Sequence, residues 1–221
     1  MSDVESTSPL PAPNLVGSEL AHAPRKRPKP GERRVQILQA LASMLEQPGA
    51  ERITTAALAA RLDVSEAALY RHFASKAQMF EGLIEFIEQS VFTLSNQIIE
   101  REQGQDPATG ARQCARIVAM LVQFAEKNPG MSRVMVGDAL VFENERLQQR
   151  MNQFFDKVEA SLKQCLRTGT VPGSLTPTVD AQVRATVLTA FVVGRLQRFV
   201  RSGFKRLPSE HLEASLAAIL G

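Results

Sequence analysis

The stretch from Ile53 to Lys76, ITTAALAARLDVSEAALYRHFASK, leaves this chain few folds to choose from. Thr54 is a hydroxyl N-cap candidate that opens a short segment in which Leu58, Ala59 and Leu62 recur at helical spacing. Ser65 is a second cap candidate and opens another segment, with Ala68, Leu69 and Phe73 as its apolar residues. Between them lies Leu62-Asp63-Val64. Aspartate tolerates left-handed backbone better than most residues other than glycine, and its neighbours can bury. Two short capped helices with almost no linker make a helix-turn-helix unit.

The exposed side of the second helix is expected to present Glu66, Ala67, Tyr70, Arg71 and His72. Small side chains let a helix sit deep in the major groove against thymine methyls. Hydroxyl, imidazole and cationic groups at its edges reach phosphates. Lys76 follows Ser75, a third cap candidate, so a cation and a helix N-terminus meet the DNA backbone together.

The run TTAALAARLDVSEAALYRHFASK resembles the DNA-binding signature of the TetR-family regulators, most recognisably in L-Y-x-H-F followed three residues later by Lys. The resemblance implies an all-α, TetR-like fold: an N-terminal three-helix head and a C-terminal helical dimerisation body. It assigns DNA-backbone contacts to Thr54, Tyr70, His72 and Lys76, a base-edge contact to Ala67, and positioning to Ser65 and Thr55. For His72 a packed helix-end role is the other reading. Asp63 stands at the turn position where the family usually has Gly.

At 221 residues the chain suits one head and one body. With 26 Lys and Arg against 23 Asp and Glu the net charge is only +3, so nucleic-acid binding has to come from local clustering. Arg25, Lys26, Arg27, Lys29, Arg33 and Arg34 supply it, with Glu32 as the one acid among them, directly before the head. Such an arm lies along phosphates or in a minor groove, or else serves only solubility. Arg33 and Arg34 are accordingly DNA-binding candidates. Residues 1 to 24, rich in Ser, Pro and Ala and lacking Lys and Arg, are expected to be a disordered tail. The expected division is a tail and basic arm at 1–30, a DNA-binding head at 31–76 and a dimerisation and partner-binding body at 77–221.

Cys114 and Cys165 read as core-filling thiols of a reducing cytoplasm rather than as a metal site or disulfide framework. The longest weakly polar run, Ala185 to Gly194, falls far short of the roughly 20 residues that span a membrane. Asp3 and Glu5 replace the basic start of a signal peptide, and no apolar core follows. His22, His72 and His211 have no carboxylate, cysteine or serine constellation around them, and no phosphate-cradling glycine loop appears. The expectation is a protein that is not an enzyme and holds no cofactor or metal.

From Glu32 to Glu46, Val35, Leu38, Leu41, Ala42 and Leu45 give the head its first helix, which Pro48 and Gly49 end. A long helix starts near Ser75, with Phe80, Leu83, Ile84, Ile87, Val91, Leu94 and Ile98 in one stripe linking head to body. Phe86 lies off that stripe beside Glu85 and Glu88, either as edge-of-core packing or as a partner-binding anchor. A helix over 111–127 precedes the break Asn128-Pro129-Gly130. Residues 131 to 167 read as a short helix and then a long one, with Phe142, Leu147, Met151 and Phe154 on its apolar side and Glu143, Glu145, Arg146, Arg150 and Lys157 on its wet side. After a loop over 168–177, a helix from Thr178 to Ser202 has Val179, Val183, Val187, Ala190, Phe191 and Gly194 on one side. For Gly194 a close helix crossing is the expected reason. A last helix runs from Ser209 to Leu220, and the TetR resemblance implies that these two helices pair with their symmetry mates as a four-helix bundle.

The segments LIEFIEQS, EKNPGMSRVMVGDALVFENERLQQRMNQFF and GRLQRFVRSGFKRLP resemble one subfamily of these regulators, the nucleoid occlusion factors. That resemblance implies a nucleoid-associated cytoplasmic homodimer on palindromic double-stranded DNA sites. On DNA it binds the division protein FtsZ and blocks ring assembly. Phe86 and Lys127, with Glu85 and Arg133, are the partner-surface candidates. Leu94 and Gln123 stand where the resemblance leads to Arg and Gly. The rival expectation is a TetR-type transcriptional repressor released from its operator by a small ligand bound in the body.

Overall fold

The computed structural model describes residues 31–47, 53–104, 108–168 and 177–221. The expected tail and the arm residues Arg25, Lys26, Arg27 and Lys29 lie outside them, as do the Pro48-Gly49 turn and most of the 168–177 loop. Every regular element among the described residues is helical: α1 (Glu32–Leu45), α2 (Thr55–Leu62), α3 (Glu66–Tyr70), α4 (Lys76–Arg101), α5 (Thr109–Lys127), α6 (Pro129–Met135), a 3-10 turn (Asp138–Leu140), α7 (Glu145–Thr168), α8 (Pro177–Arg201) and α9 (Leu212–Leu220).

The head forms as its caps dictate. Thr54 Oγ1 accepts the Ala57 N–H at 3.1 Å and Ser65 Oγ accepts the Ala68 N–H at 3.2 Å. Asp63 sits at φ 51°, ψ 53°, the left-handed conformation its turn position demands. Its N–H and that of Val64 bond back to the Ala60 and Ala59 carbonyls, closing α2. Ile37, Leu41, Leu45, Leu58, Leu69 and Phe73 bury together with Met79, Phe80 and Leu83 of α4. The first turns of α4 therefore complete the head's core, and the rest of the same helix enters the body through Ile84, Ile87 and Val91. In the body, α7 packs between α5 and α8 around Ile117, Leu121, Phe154, Leu162, Leu188 and Leu196. Both cysteines are buried thiols outside any disulfide, with Cys114 Sγ donating to the Leu162 carbonyl at 3.4 Å.

Four expectations change. The second helix of the head ends at Tyr70, because the His72 and Phe73 N–H groups both turn back onto the Leu69 carbonyl and the buried Phe73 ring redirects the chain. The break after Lys127 is present, but the short helix that follows starts at Pro129 rather than Met131, because proline takes the first helical position, where its missing N–H costs nothing. Phe142 is not on the apolar side of α7 but 63% exposed in the turn before it, since Asn144 starts the helix by accepting the Arg146 N–H on Oδ1 at 3.0 Å. The last helix begins at Leu212 rather than Ser209, because His211 adopts φ 53° and the Ser209 N–H is taken by Glu126 Oε1 at 2.8 Å.

Of the wet side expected of α7, Glu145, Arg146 and Lys157 are exposed, whereas Glu143 and Arg150 are partly buried against α4. Arg150 pairs with Glu88 of α4 at 2.6 Å, Arg146 pairs with Glu81, and Glu143 pairs with Lys76 at 2.5 Å. These three pairs form one seam along which α4 and the Glu143–Arg150 segment run in the same direction. The Arg146–Glu81 pair, with its guanidinium 70% exposed, contributes on the order of 0.2–1 kcal/mol, while the Glu143 and Glu88 carboxylates are largely buried beside their cations.

Candidate nucleic-acid interface

The outward face of the helix-turn-helix is built by α2 and α3 together. Ala67 and Tyr70 are exposed one turn apart on α3, with Glu66 and Arg71 beside them. Thr55 bridges the helices: its Oγ1 donates to Glu66 Oε2 at 2.5 Å and accepts from the Tyr70 hydroxyl at 3.4 Å. Nothing in local sequence marks Glu66 for that task, because its partner lies on the preceding helix. Thr54 and Ser65 stay exposed while capping, so each hydroxyl sits where a helix N-terminus opens to solvent.

His72 is exposed beyond the end of α3, and its carbonyl accepts a 2.9 Å bond from Arg34 Nη1. The Arg34 guanidinium lies 4.1 Å from the centroid of the Phe73 ring. Arg34 thus clamps the exit of the helix-turn-helix onto α1 by a hydrogen bond and a cation–π contact, and the residue stays exposed. Arg33, half-buried on α1, is its neighbour.

Lys76 opens α4 behind Ser75, whose Oγ accepts the Gln78 N–H at 3.2 Å while Gln78 Oε1 accepts the Ala74 N–H at 2.8 Å. This reciprocal cap fixes the turn that carries the lysine. The ammonium lies 2.5 Å from Glu143 Oε1 and 5.7 Å from the Phe80 ring centroid. Glu143 could not be read from the sequence as a partner, since only the docking of the body on the head brings the two together.

Phe86 is half-buried and packs against the core's edge, and Glu85 beside it is exposed, accepting from Gln89 Nε2 at 3.4 Å. Lys127 is exposed at the end of α5. Arg133 departs from expectation: Nη1 bonds Asp138 Oδ2 at 3.0 Å and its guanidinium stacks 5.4 Å from the Phe204 ring, so its charge is already matched inside the body. Among the described residues no group of His, Cys, Asp or Glu could hold a metal ion, and no helix is long and apolar enough to cross a membrane.

Residues 37–83 match the family described as bacterial regulatory proteins, tetR family, and residues 110–220 match the SlmA-like tetracyclin repressor-like C-terminal domain. A nucleoid occlusion factor SlmA from Idiomarina loihiensis is 50% identical over 182 residues, which cover 82% of this chain and 90% of that protein. The chain belongs to the SlmA family. SlmA proteins from Shewanella loihica and Alteromonas mediterranea agree, at 51% identity over 179 residues (81% of this chain, 88% of the relative) and 47% over 190 (86% and 95%). Among solved structures, FadR from Bacillus subtilis in complex with stearoyl-CoA superposes with a TM-score of 0.62 at 14% identity, covering 84% of this chain and 97% of that one. A TetR/AcrR-family regulator from Thermobifida fusca does so at 0.63 and 15%, covering 86% and 98%. At such identities the fold alone is shared. The SlmA family and the TetR fold expected from the head and body segments are the ones found: a DNA-binding regulator of the nucleoid occlusion type, not an enzyme.

Proposed function

We propose that this chain acts as a nucleoid-associated homodimer. Its two heads (31–76) bind palindromic chromosomal sites, and its bodies (77–221) hold FtsZ there to keep the division ring from assembling over the chromosome. The observation that carries the reading is identity to SlmA proteins running through the body as well as the head. Bodies of TetR-type regulators serve different ligands and partners, so agreement there speaks for the shared task.

In the head, Thr54, Tyr70, His72 and Lys76 contact phosphates and Ala67 a base edge, while Ser65 and Thr55 hold α3 at its angle. Arg33 contributes to the arm's phosphate contacts, and Arg34 supports the head from behind. In the body, Phe86 and Lys127, flanked by Glu85, meet an acidic, mobile FtsZ segment through an apolar anchor and a cation; Arg133 acts by holding the Asp138 turn.

A dimer is supported by α8. Its inner side buries Ala181, Ala185, Leu188, Val192 and Leu196, yet Val183 and Val187 on its other side remain 55% and 44% exposed. A Cβ on Gly194, on that same outer side, would meet nothing within 4 Å. The glycine is therefore not required by packing inside the protomer, and a second copy approaching closely accounts for both features. Two such heads meet half-sites about one helical turn apart or somewhat more.

Chromatin immunoprecipitation tests the reading. Many dispersed palindromic sites are expected; a single site beside one gene would instead mark an operator and a repressor.

A further inference from the structure

The carboxylate of Glu143 is largely buried although it lies in a surface turn. Its side chain is only 10% exposed, and the charge it makes is matched by one group, the Lys76 ammonium at 2.5 Å, which itself stays 30% exposed. The two belong to different parts of the molecule. Lys76 is the first residue of α4, presented by the Ser75–Gln78 cap at the edge of the helix-turn-helix. Glu143 sits in the turn between the 3-10 turn and α7, its N–H bonded to the Leu140 carbonyl at 3.0 Å.

We propose that Glu143 occupies, in the DNA-free protein, the place that a DNA phosphate takes on binding, so that Lys76 exchanges a carboxylate of the body for a phosphate oxygen of the duplex. This rests on the reading of Lys76 as a phosphate contact. One ammonium cannot serve a phosphate and a largely buried carboxylate equally well, because the two anions repel across it. A buried carboxylate without its cation is strongly disfavoured. Phosphate binding therefore drives Glu143 toward water and with it the turn 141–144. The turn moves between two fixed points: Asp138, held by Arg133, and α7, which begins at Glu145. Val141 and Phe142, both exposed, lie on the moving part. Head occupancy is thereby felt by an apolar turn of the body. By reciprocity, whatever holds that turn in its present place weakens DNA binding by the same factor.

Counterion accounting gives the test. Lys76 releases a cation from the duplex, but the freed Glu143 takes one up, so the pair adds little to the salt dependence. Binding of the full chain to a short mixed-sequence duplex is measured by fluorescence anisotropy at several salt concentrations. Glu143→Gln is expected to bind roughly threefold tighter at low salt with a log–log salt slope steeper by about one. Lys76→Ala is expected to weaken binding and to make Glu143→Gln without effect when the two are combined. If Lys76→Ala leaves affinity and slope unchanged, the phosphate reading of Lys76 fails, and this inference with it. If Lys76→Ala weakens binding while Glu143→Gln alone matches the parent, only the exchange is overturned. Hydrogen exchange on the unaltered protein covers a Glu143 variant that folds poorly. Amides of 141–144 are expected to exchange faster when the duplex saturates the protein, and unchanged rates would also overturn the exchange.

Discussion

Gly130, the second residue of α6, lies so close to α1 that a Cβ there would overlap the Ala42 carbonyl oxygen and press on its carbon. Glycine is what permits this approach of body to head. The neighbouring Glu46, capping the C-terminus of α1, accepts the Gly130 N–H on its carboxylate, so the end of α1 docks on the start of α6. Because backbone cannot yield as a side-chain tip can, Gly130→Ala is expected to destabilise the fold by about 1–3 kcal/mol. Thermal melting should register a drop of roughly 2–4 °C per kcal/mol; an unchanged Tm would mean that head and body part easily at this point.

Glu46 makes the same junction sensitive to rising pH. Burial pushes its carboxyl above the ordinary carboxylate value, outweighing the Gly130 N–H and the Arg61 charge, which pull it down. The folded chain then holds this proton more tightly than the unfolded chain. Its contribution to stability is present below the unfolded pKa and is lost as pH rises through the folded one. Glu46→Gln is expected to gain stability relative to the parent as pH rises from acid to neutral. Melting curves across that range check it, and parallel curves for the two proteins would contradict it.

The outer face of α8 predicts its own behaviour. Val187→Asp places a charge on an exposed residue that touches no core, so a monomer should tolerate it with little loss of stability. Buried in a dimer interface the charge has no partner and is expected to split the dimer. Sedimentation velocity should show the parent as a dimer and the variant as a monomer of near-parent Tm; a variant that stays dimeric would move the interface elsewhere.

Much of this architecture was legible in the sequence because it is locally determined. Thr54, Ser65 and Ser75 announce three helix starts within reach of their own backbones, and Asp63 marks the left-handed turn. The stripe from Phe80 to Val91 is buried as its spacing requires. What escaped is what depends on distant partners. Glu143 and Arg150 read as solvated residues until α4 arrives beside them, and the hold of Arg34 on the His72 carbonyl and the Phe73 ring has no local signal. Spacing alone puts the valines at 183 and 187 on one side of a helix, but only the packing of Ala185, Leu188 and Val192 shows that this side faces outward. Phe86 kept both of its readings, because a half-buried ring at the core's edge serves packing and contact alike.

Phe86 is also where DNA binding and partner binding should separate. Truncating it removes part of a core-edge contact, at about 1–3 kcal/mol for a half-buried ring, yet leaves α2, α3 and Lys76 in place. The most direct measurement is sedimentation of FtsZ polymers with this protein, with and without a duplex carrying one of its immunoprecipitated sites, alongside the folded Phe86→Ala variant. The expected result is that pelleted FtsZ falls only when protein and duplex are both present, and that Phe86→Ala binds the duplex normally but leaves the pellet intact. A pellet unaffected by the protein–duplex complex would contradict a nucleoid occlusion role exerted through FtsZ.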